Sequence, residues 1–146
     1  MKKASSDLLL LDVNVLLAIA WPNHQFHGTA TRFLSTKSEW ATCAFTQLGF
    51  IRLSSNPSLI ANAKSPAEAT LVLAEMTADS MHVYLDSLPA PTSEEWIGVF
   101  AKPLGHKQVT DLYLLQLAAA NNAVLVTFDR KLQSLAAGPQ CVRVLG

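Results

Sequence analysis

The sequence predicts an α/β protein: a central, mostly parallel five-stranded sheet covered by helices on both faces, three layers in one domain over residues 1–146. Three observations predict it. Five short apolar, β-like runs stand at residues 8–11, 40–44, 82–85, 124–127 and 141–145. Segments with helical periodicity or helix-start signatures separate them. Half of the residues are hydrophobic and only 15% are charged, which is enough apolar material for a core and too little charge for disorder. No internal repeat or low-complexity stretch breaks the alternation.

In order, Leu8-Leu9-Leu10-Leu11 reads as a strand buried on both faces, with Asp12 at its C-terminal end. A helix begins at Asn14 and runs through residues 15–20 until Pro22 ends it. An amphipathic helix over residues 24–34 follows, with Phe26, Ala30, Phe33 and Leu34 on one face. After the polar turn Ser35-Thr36-Lys37-Ser38, residues 40–44 form the second strand. The next helix covers residues 45–54: Phe45, Leu48 and Ile51, spaced by three, turn inward with Leu53, and Gln47 lies in the first turn.

Ser65-Pro66-Ala67-Glu68 combines an N-cap serine, a proline at the first helical position and a capping-box glutamate, so a helix is expected to about Asp79. Residues 82–85 are the third strand. Thr92-Ser93-Glu94-Glu95 repeats the capping signature before a helix through Val99 and Phe100, which Pro103 and Gly105 terminate. The longest apolar-rich helix spans residues 109–120 and stops at Asn121-Asn122. The fourth strand, 124–127, ends at Phe128-Asp129, and residues 141–145 are the fifth.

Lys plus Arg equals Asp plus Glu at 11 each, so no global positive field draws in nucleic acid, and any such contact must use a local patch. Cys43 and Cys141 lie far apart without metal-ligand spacing and are expected as free thiols of a reducing compartment. Lys2-Lys3, the leucine run and Ala18-Ile19-Ala20 together imitate a secretory signal, but Asp12 argues against one. An ionised Asp at the centre of a membrane helix costs roughly 2.5–3.5 kcal/mol. The expectation is a cytoplasmic protein with no signal peptide and no transmembrane span.

Asp12 and Asp129 each follow an apolar β-like run, the position where open α/β sheets place their ligands. Asp111 lies in the first turn of a long helix, where the macrodipole favours a negative charge by about 0.3–1 kcal/mol. Taken singly, each acid is accounted for by capping, turn formation or a solvated loop. Three acids at the ends of core elements are harder to explain as caps, and clustered carboxylates repel unless a cation sits among them. Hard oxygen ligands suit Mg2+ or Mn2+. Such an ion lowers the pKa of a bound water and offsets charge on a phosphoryl oxygen, which makes phosphodiester hydrolysis the natural reaction class. The sequence leaves one ion or two open.

Four segments then stand in an order and spacing that carry a resemblance: Leu-Leu-Asp-Val-Asn at 10–14, Thr-Gln-Leu-Gly-Phe-Ile-Arg at 46–52, Gln-Val-Thr-Asp at 108–111 leading into Leu-Tyr-Leu-Leu, and Thr-Phe-Asp at 127–129. Over nearly its whole length the chain resembles the PIN-domain ribonucleases, and among them the VapC-type toxins of prokaryotic toxin–antitoxin modules. The resemblance implies an endoribonuclease in which Asp12 and Asp111 are the principal ligands of Mg2+ or Mn2+ and Asp129 is a further acid. Asn14 and Thr127 fall where that family places polar residues that orient the carboxylates. The resemblance also implies a small antitoxin laid across the toxin, and a toxin homodimer. Gln47 departs from the pattern, since many members have an acid there; Asp79, Asp86, Glu94 or Glu95 replaces it only if the fold brings one close.

Lys102, His106, Lys107, Arg130 and Lys131 bracket Asp111 and Asp129 and could track an RNA backbone, and Arg52 either reaches the site or caps its helix. His24 and His27 have i,i+3 spacing without a third nitrogen or sulfur ligand, which disfavours a metal site. Trp21, Trp40 and Trp96 are read as core or interface residues before base platforms. Two alternatives accompany the ribonuclease reading. One is a catalytically weakened PIN-like module that binds RNA or protein. The other is a phosphatase with Asp12 as nucleophile, disfavoured because Asp12-Val13-Asn14 lacks a second acid and no Gly-rich phosphate loop follows.

Overall fold

Four consecutive leucines make β1 (Leu8–Leu11), and alternation sends them to opposite faces of the sheet: Leu10 into one core, Leu9 and Leu11 into the other. The computed structural model describes residues 8–36, 38–101, 104–136 and 141–146; Lys2, Lys3, Lys37, Lys102 and Pro103 lie outside them. Around β1 stand β2 (Trp40–Cys43), β3 (His82–Leu85), β4 (Ala123–Thr127) and β5 (Val142–Val144) in the order β3-β2-β1-β4-β5. The sequence predicted a mostly parallel sheet, and all four pairings are parallel.

Helices α1 (Val13–Ala20), α2 (His27–Leu34), α3 (Ala44–Ser54) and α4 (Pro66–Thr77) cover one face and share a core of Val15, Leu16, Phe50 and Leu73 with Leu9, Leu11 and Val126. Helices α5 (Glu94–Phe100), α6 (Val109–Ala120) and α7 (Leu132–Leu135) cover the other, where Leu112, Leu114, Leu115, Leu117 and Leu132 meet Leu10 and Leu125. The chain thus winds outward from β1 in one direction to β3 and returns over the opposite face to β4. The order reverses between β1 and β4, and in such sheets the crevice at the carboxyl ends of those two strands is where ligands bind.

Several predicted details change. The helix expected over 24–34 begins at His27, because the His24 ring turns back and its Nδ1 accepts the Phe26 amide at 3.0 Å. Phe26 therefore precedes the helix instead of lining its inward face. In α3 the inward side is Thr46, Phe50 and Ser54, while Phe45 and Leu48 are 40% and 66% exposed. Polar residues occupy that interior because their hydroxyls are satisfied: Thr46 Oγ1 accepts the Cys43 amide at 3.0 Å, and Ser54 Oγ accepts the Trp21 indole at 2.9 Å. The capping box at Ser65 and Glu68 forms with both bonds, at 3.1 and 2.9 Å. Ser93 is the N-cap of α5 but makes no side-chain cap bond, so the repeated signature there is not realised. A short 3-10 turn, His106–Gln108, leads into α6, and α7 carried no sequence signal.

Candidate active site

The register Leu11↔Val126 brings the residue after β1 beside the last residue of β4. Asp12 there does two jobs at once. It is the N-cap of α1, with Oδ1 accepting the Val13 amide at 2.7 Å, and its Oδ2 accepts the Thr127 hydroxyl at 2.8 Å. Capping and a functional role are therefore not rivals at this position. Thr127 is fully buried and acts as a hub, since the same Oγ1 accepts the Asp129 amide at 3.1 Å and faces Asn14 Nδ2 at 3.4 Å. Asn14 Oδ1 in turn accepts the Phe128 amide at 3.4 Å. Asn14 and Thr127, the two residues predicted to orient carboxylates, are bonded to each other; Thr127 alone reaches the strand-end acids, through the Asp12 carboxylate and the Asp129 backbone amide.

Asp129 Oδ1 accepts the Lys131 amide at 3.0 Å, which fixes the turn after β4. Asp111 arrives from the opposite layer, in the first turn of α6, and among the described residues accepts no hydrogen bond. Burial pushes the Asp12 carboxyl above its ordinary value of 3.8; the bonds from Thr127 and Val13 oppose this, and the charge of Asp129 adds to it. Asp111 is also raised, first by burial and then by the charges of Asp12 and Asp129. The three acids thus lie within one another's field. Among the described residues no three His, Cys, Asp or Glu side chains converge closely enough to form a ready-made metal cage.

That arrangement fits Mg2+ or Mn2+ better than an ion needing a full protein cage. Mg2+ is commonly held by one or two carboxylates with water completing its shell, and the donors here are hard oxygens whose mutual repulsion and burial a cation would relieve.

Gln47 sits in the first turn of α3, and its Nε2 donates to Thr42 Oγ1 at 3.0 Å, while Thr42 Oγ1 lies 2.8 Å from His82 Nε2. Among the described residues Asp129 is the acid whose charge acts on Asp12, and Asp79, Asp86, Glu94 and Glu95 do not contribute. Asp79 is engaged at the start of β3 by the Trp40 indole and the Met81 amide, and Asp86, Glu94 and Glu95 are exposed. Lys107, Arg130 and Lys131 are exposed in the segments that carry Asp111 and Asp129. Arg52 is exposed in the last turn of α3, toward the opposite end of that helix from Gln47. His27 Nδ1 contacts the Ala18 carbonyl at 2.7 Å, so neither it nor His24 is set up as a ligand. The three indole nitrogens all donate inside the fold, and Trp40 and Trp96 are buried.

Two residues inside the motif segments, Gly49 and Phe128, had no role legible in the sequence. A Cβ at Gly49 would stand 2.7 Å from Val13 Cγ2, so the absent side chain lets α3 lie against the residue following Asp12. Phe128 stacks on Phe26, which the sequence assigned to a helix face.

Residues 9–138 match the PIN domain family. The chain is 40% identical over 126 residues to ribonuclease VapC39 of Mycobacterium tuberculosis, covering 84% of this chain and 89% of that protein. It is 36% identical over 133 residues to ribonuclease VapC38 of the same organism, covering 88% and 90%. Among solved structures, the fold is similar to a chain in the crystal structure of VapBC2 from Rickettsia felis bound to a DNA fragment from their promoter, with a TM-score of 0.59 at 16% identity over 95% of this chain and 99% of that one. The chain belongs to the PIN-domain family, among its VapC ribonucleases.

Proposed function

We propose that this chain is a single-domain, metal-dependent endoribonuclease toxin of the cytoplasm, neutralised by a cognate antitoxin, with Asp12, Asp111 and Asp129 as its acidic centre. The observation that carries the proposal is the bond from Thr127 to Asp12 across the carboxyl ends of β1 and β4, with Asp111 and Asp129 inside the same field. The ribonuclease names of the relatives, and the toxin–antitoxin complex that holds the similar fold, support the activity and the partner.

Mg2+ or Mn2+ held by Asp12 and Asp111, with Asp129 acting through water, would supply charge neutralisation at the phosphodiester and a more acidic water. The chain's own residues do the positioning. Thr127 and the start of α1 hold both oxygens of Asp12, and Asn14 fixes Thr127 and the Phe128 backbone. The turn bond to Lys131 aims Asp129, and Asp111 keeps its lone pairs available. Lys107, Arg130 and Lys131 supply positive charge for neighbouring phosphates. No helix among the described residues is long and apolar enough to cross a membrane. Exposed Phe45, Leu48 and Leu71 leave apolar surface for the antitoxin or for a second copy in a homodimer.

The test is cleavage of RNA by purified protein in Mg2+ or Mn2+. Asp12→Ala or Asp111→Ala should abolish both cleavage and growth inhibition; cutting that survives either change, or excess chelator, would sink the proposal. The second reading, a weakened RNA- or protein-binding module, is favoured by the carboxamide of Gln47, where the family resemblance places an acid in many members, and RNA binding without hydrolysis would select it.

A further inference from the structure

We propose that Phe26, stacked on Phe128, whose chain neighbours Thr127 and Asp129 belong to the acidic centre, is the platform on which a nucleobase next to the scissile phosphate stacks. The inference rests on the endoribonuclease reading above and names one contact of its substrate. Phe128 is held between Thr127 and Asp129 and packs into the core beneath α1–α4. Phe26 lies on it with ring centroids 4.7 Å apart and planes 18° from parallel, and the His24 ring flanks both at 6.1 and 6.5 Å. Yet Phe26 packs into neither core and is only half-buried.

Its backbone is nonetheless fixed. The amide donates to His24 Nδ1 at 3.0 Å, and the carbonyl accepts the Ala30 amide at 2.9 Å as the first bond of α2. A ring on a fixed backbone, already stacked on one side by Phe128, is suited to receive a flat partner with little ordering cost.

The position selects a base over other flat partners. A base is one sugar away from its phosphate, and the inner ring of this stack is the residue between Thr127, bonded to Asp12, and Asp129. Exposed Arg130 and Lys131 follow at once and can hold the next phosphate. Single-stranded RNA offers unpaired bases with π-faces, and stacking accepts every base. The indoles, the more obvious platforms by composition, are committed to hydrogen bonds inside the fold.

The test uses the full chain carrying Asp12→Asn, so that binding is read without cleavage, and single-stranded RNA oligonucleotides with 2-aminopurine at successive positions. Quenching at one position is expected. Phe26→Leu in that background should abolish the quench and weaken binding about 5- to 100-fold, with the melting temperature lowered only by the loss of the stack on Phe128, while Phe26→Tyr retains quench, affinity and melting temperature. In the chain with intact acids, Phe26→Leu should raise KM with kcat largely kept. No quench at any position with Phe26 present overturns the proposal, whatever the variants do. Unchanged affinity in Phe26→Leu does the same, as does weaker antitoxin binding with RNA binding intact, which assigns the ring to the protein partner. A chain with intact acids that cuts no RNA fails the endoribonuclease reading itself; one that cuts and is indifferent to Phe26→Leu fails only the platform.

Discussion

The Thr127 hydroxyl donates to Asp12 Oδ2 at 2.8 Å, joining the ends of two strands separated by 115 positions in the chain. β1 and β4 are neighbours only because the chain winds back over the sheet to place β4 on the free side of β1. The bond therefore forms only in the completed fold, and it holds the acid at the point where the winding direction reverses.

Thr127→Val keeps the volume of the side chain and removes its oxygen. Asp12 then loses a donor, and Asn14 Nδ2 and the Asp129 amide lose their acceptor. A stability loss of about 1–3 kcal/mol is expected from the orphaned groups, with cleavage down about 10- to 100-fold, as for residues that orient metal ligands. Thr127→Ser should retain most of both. Denaturant melts and initial cleavage rates measure the difference, and a valine variant with full activity would remove the hub from the site.

Asp12 and Asp111 both have folded-state pKa values raised above 3.8. A raised value stabilises the fold below the unfolded pKa, and that contribution disappears as pH rises through the folded pKa. Ionised and without cation, both acids thus weigh against folding. In metal-free protein, Asp111→Asn should melt at the same temperature as the parent well below pH 3.8 and at a higher one at neutral pH. Mg2+ should raise the melting temperature of the parent more than that of the variant. Equal melting curves across the whole range would contradict the shared field.

How far the sequence alone reached is clear at particular residues. Leu8 to Leu11, the Ser65 capping box and the run from Val109 to Ala120 were legible because local periodicity and local hydrogen bonds decide them. Asp12, Asp111 and Asp129 were legible as strand and helix ends. The inward face of α3 was not: Thr46 and Ser54 are buried because Cys43 and Trp21 satisfy them, and neither partner is visible from helical spacing. Nor was the Phe26–Phe128 stack, since it depends on a histidine ring ending a turn and on a strand about a hundred residues away.

Gly49 shows how packing supports the chemistry. A methyl group there meets the stiff, β-branched Val13 at 2.7 Å, and Val13 is the residue between Asp12 and Asn14. Gly49→Ala must push α3 away from the start of α1, at about 1–3 kcal/mol. It should lower activity further than Gly98→Ala, where an added Cβ has no neighbour within 4 Å. Melting temperatures and cleavage rates of the two variants make the comparison, and equal behaviour would show that α1 and α3 separate without moving Asp12.

Gln47→Glu restores the charge that many proteins of this fold carry, and its effects should run in opposite directions with and without cation. The glutamine donates to Thr42 Oγ1, which also contacts His82 Nε2. A carboxylate cannot donate, so with His82 Nε2 as the unprotonated ring nitrogen Thr42 has one proton and two acceptors, and the metal-free protein should lose about 1–3 kcal/mol. His82 can relieve the conflict by taking a proton. Its pKa is held below 6.5 chiefly by burial, so its neutral form stabilises the fold above pH 6.5, and that contribution is lost as pH falls through the folded value. A negative charge across Thr42 should move the His82 pKa up and shift this loss. A fourth acid should at the same time tighten divalent-ion binding, through the added ligand charge. NMR titration of the His82 ring and calorimetry with Mn2+ read the two effects separately. An upward His82 shift with unchanged ion affinity would mean that Gln47 faces Thr42 alone, and the three aspartates would then have to hold the ion without it.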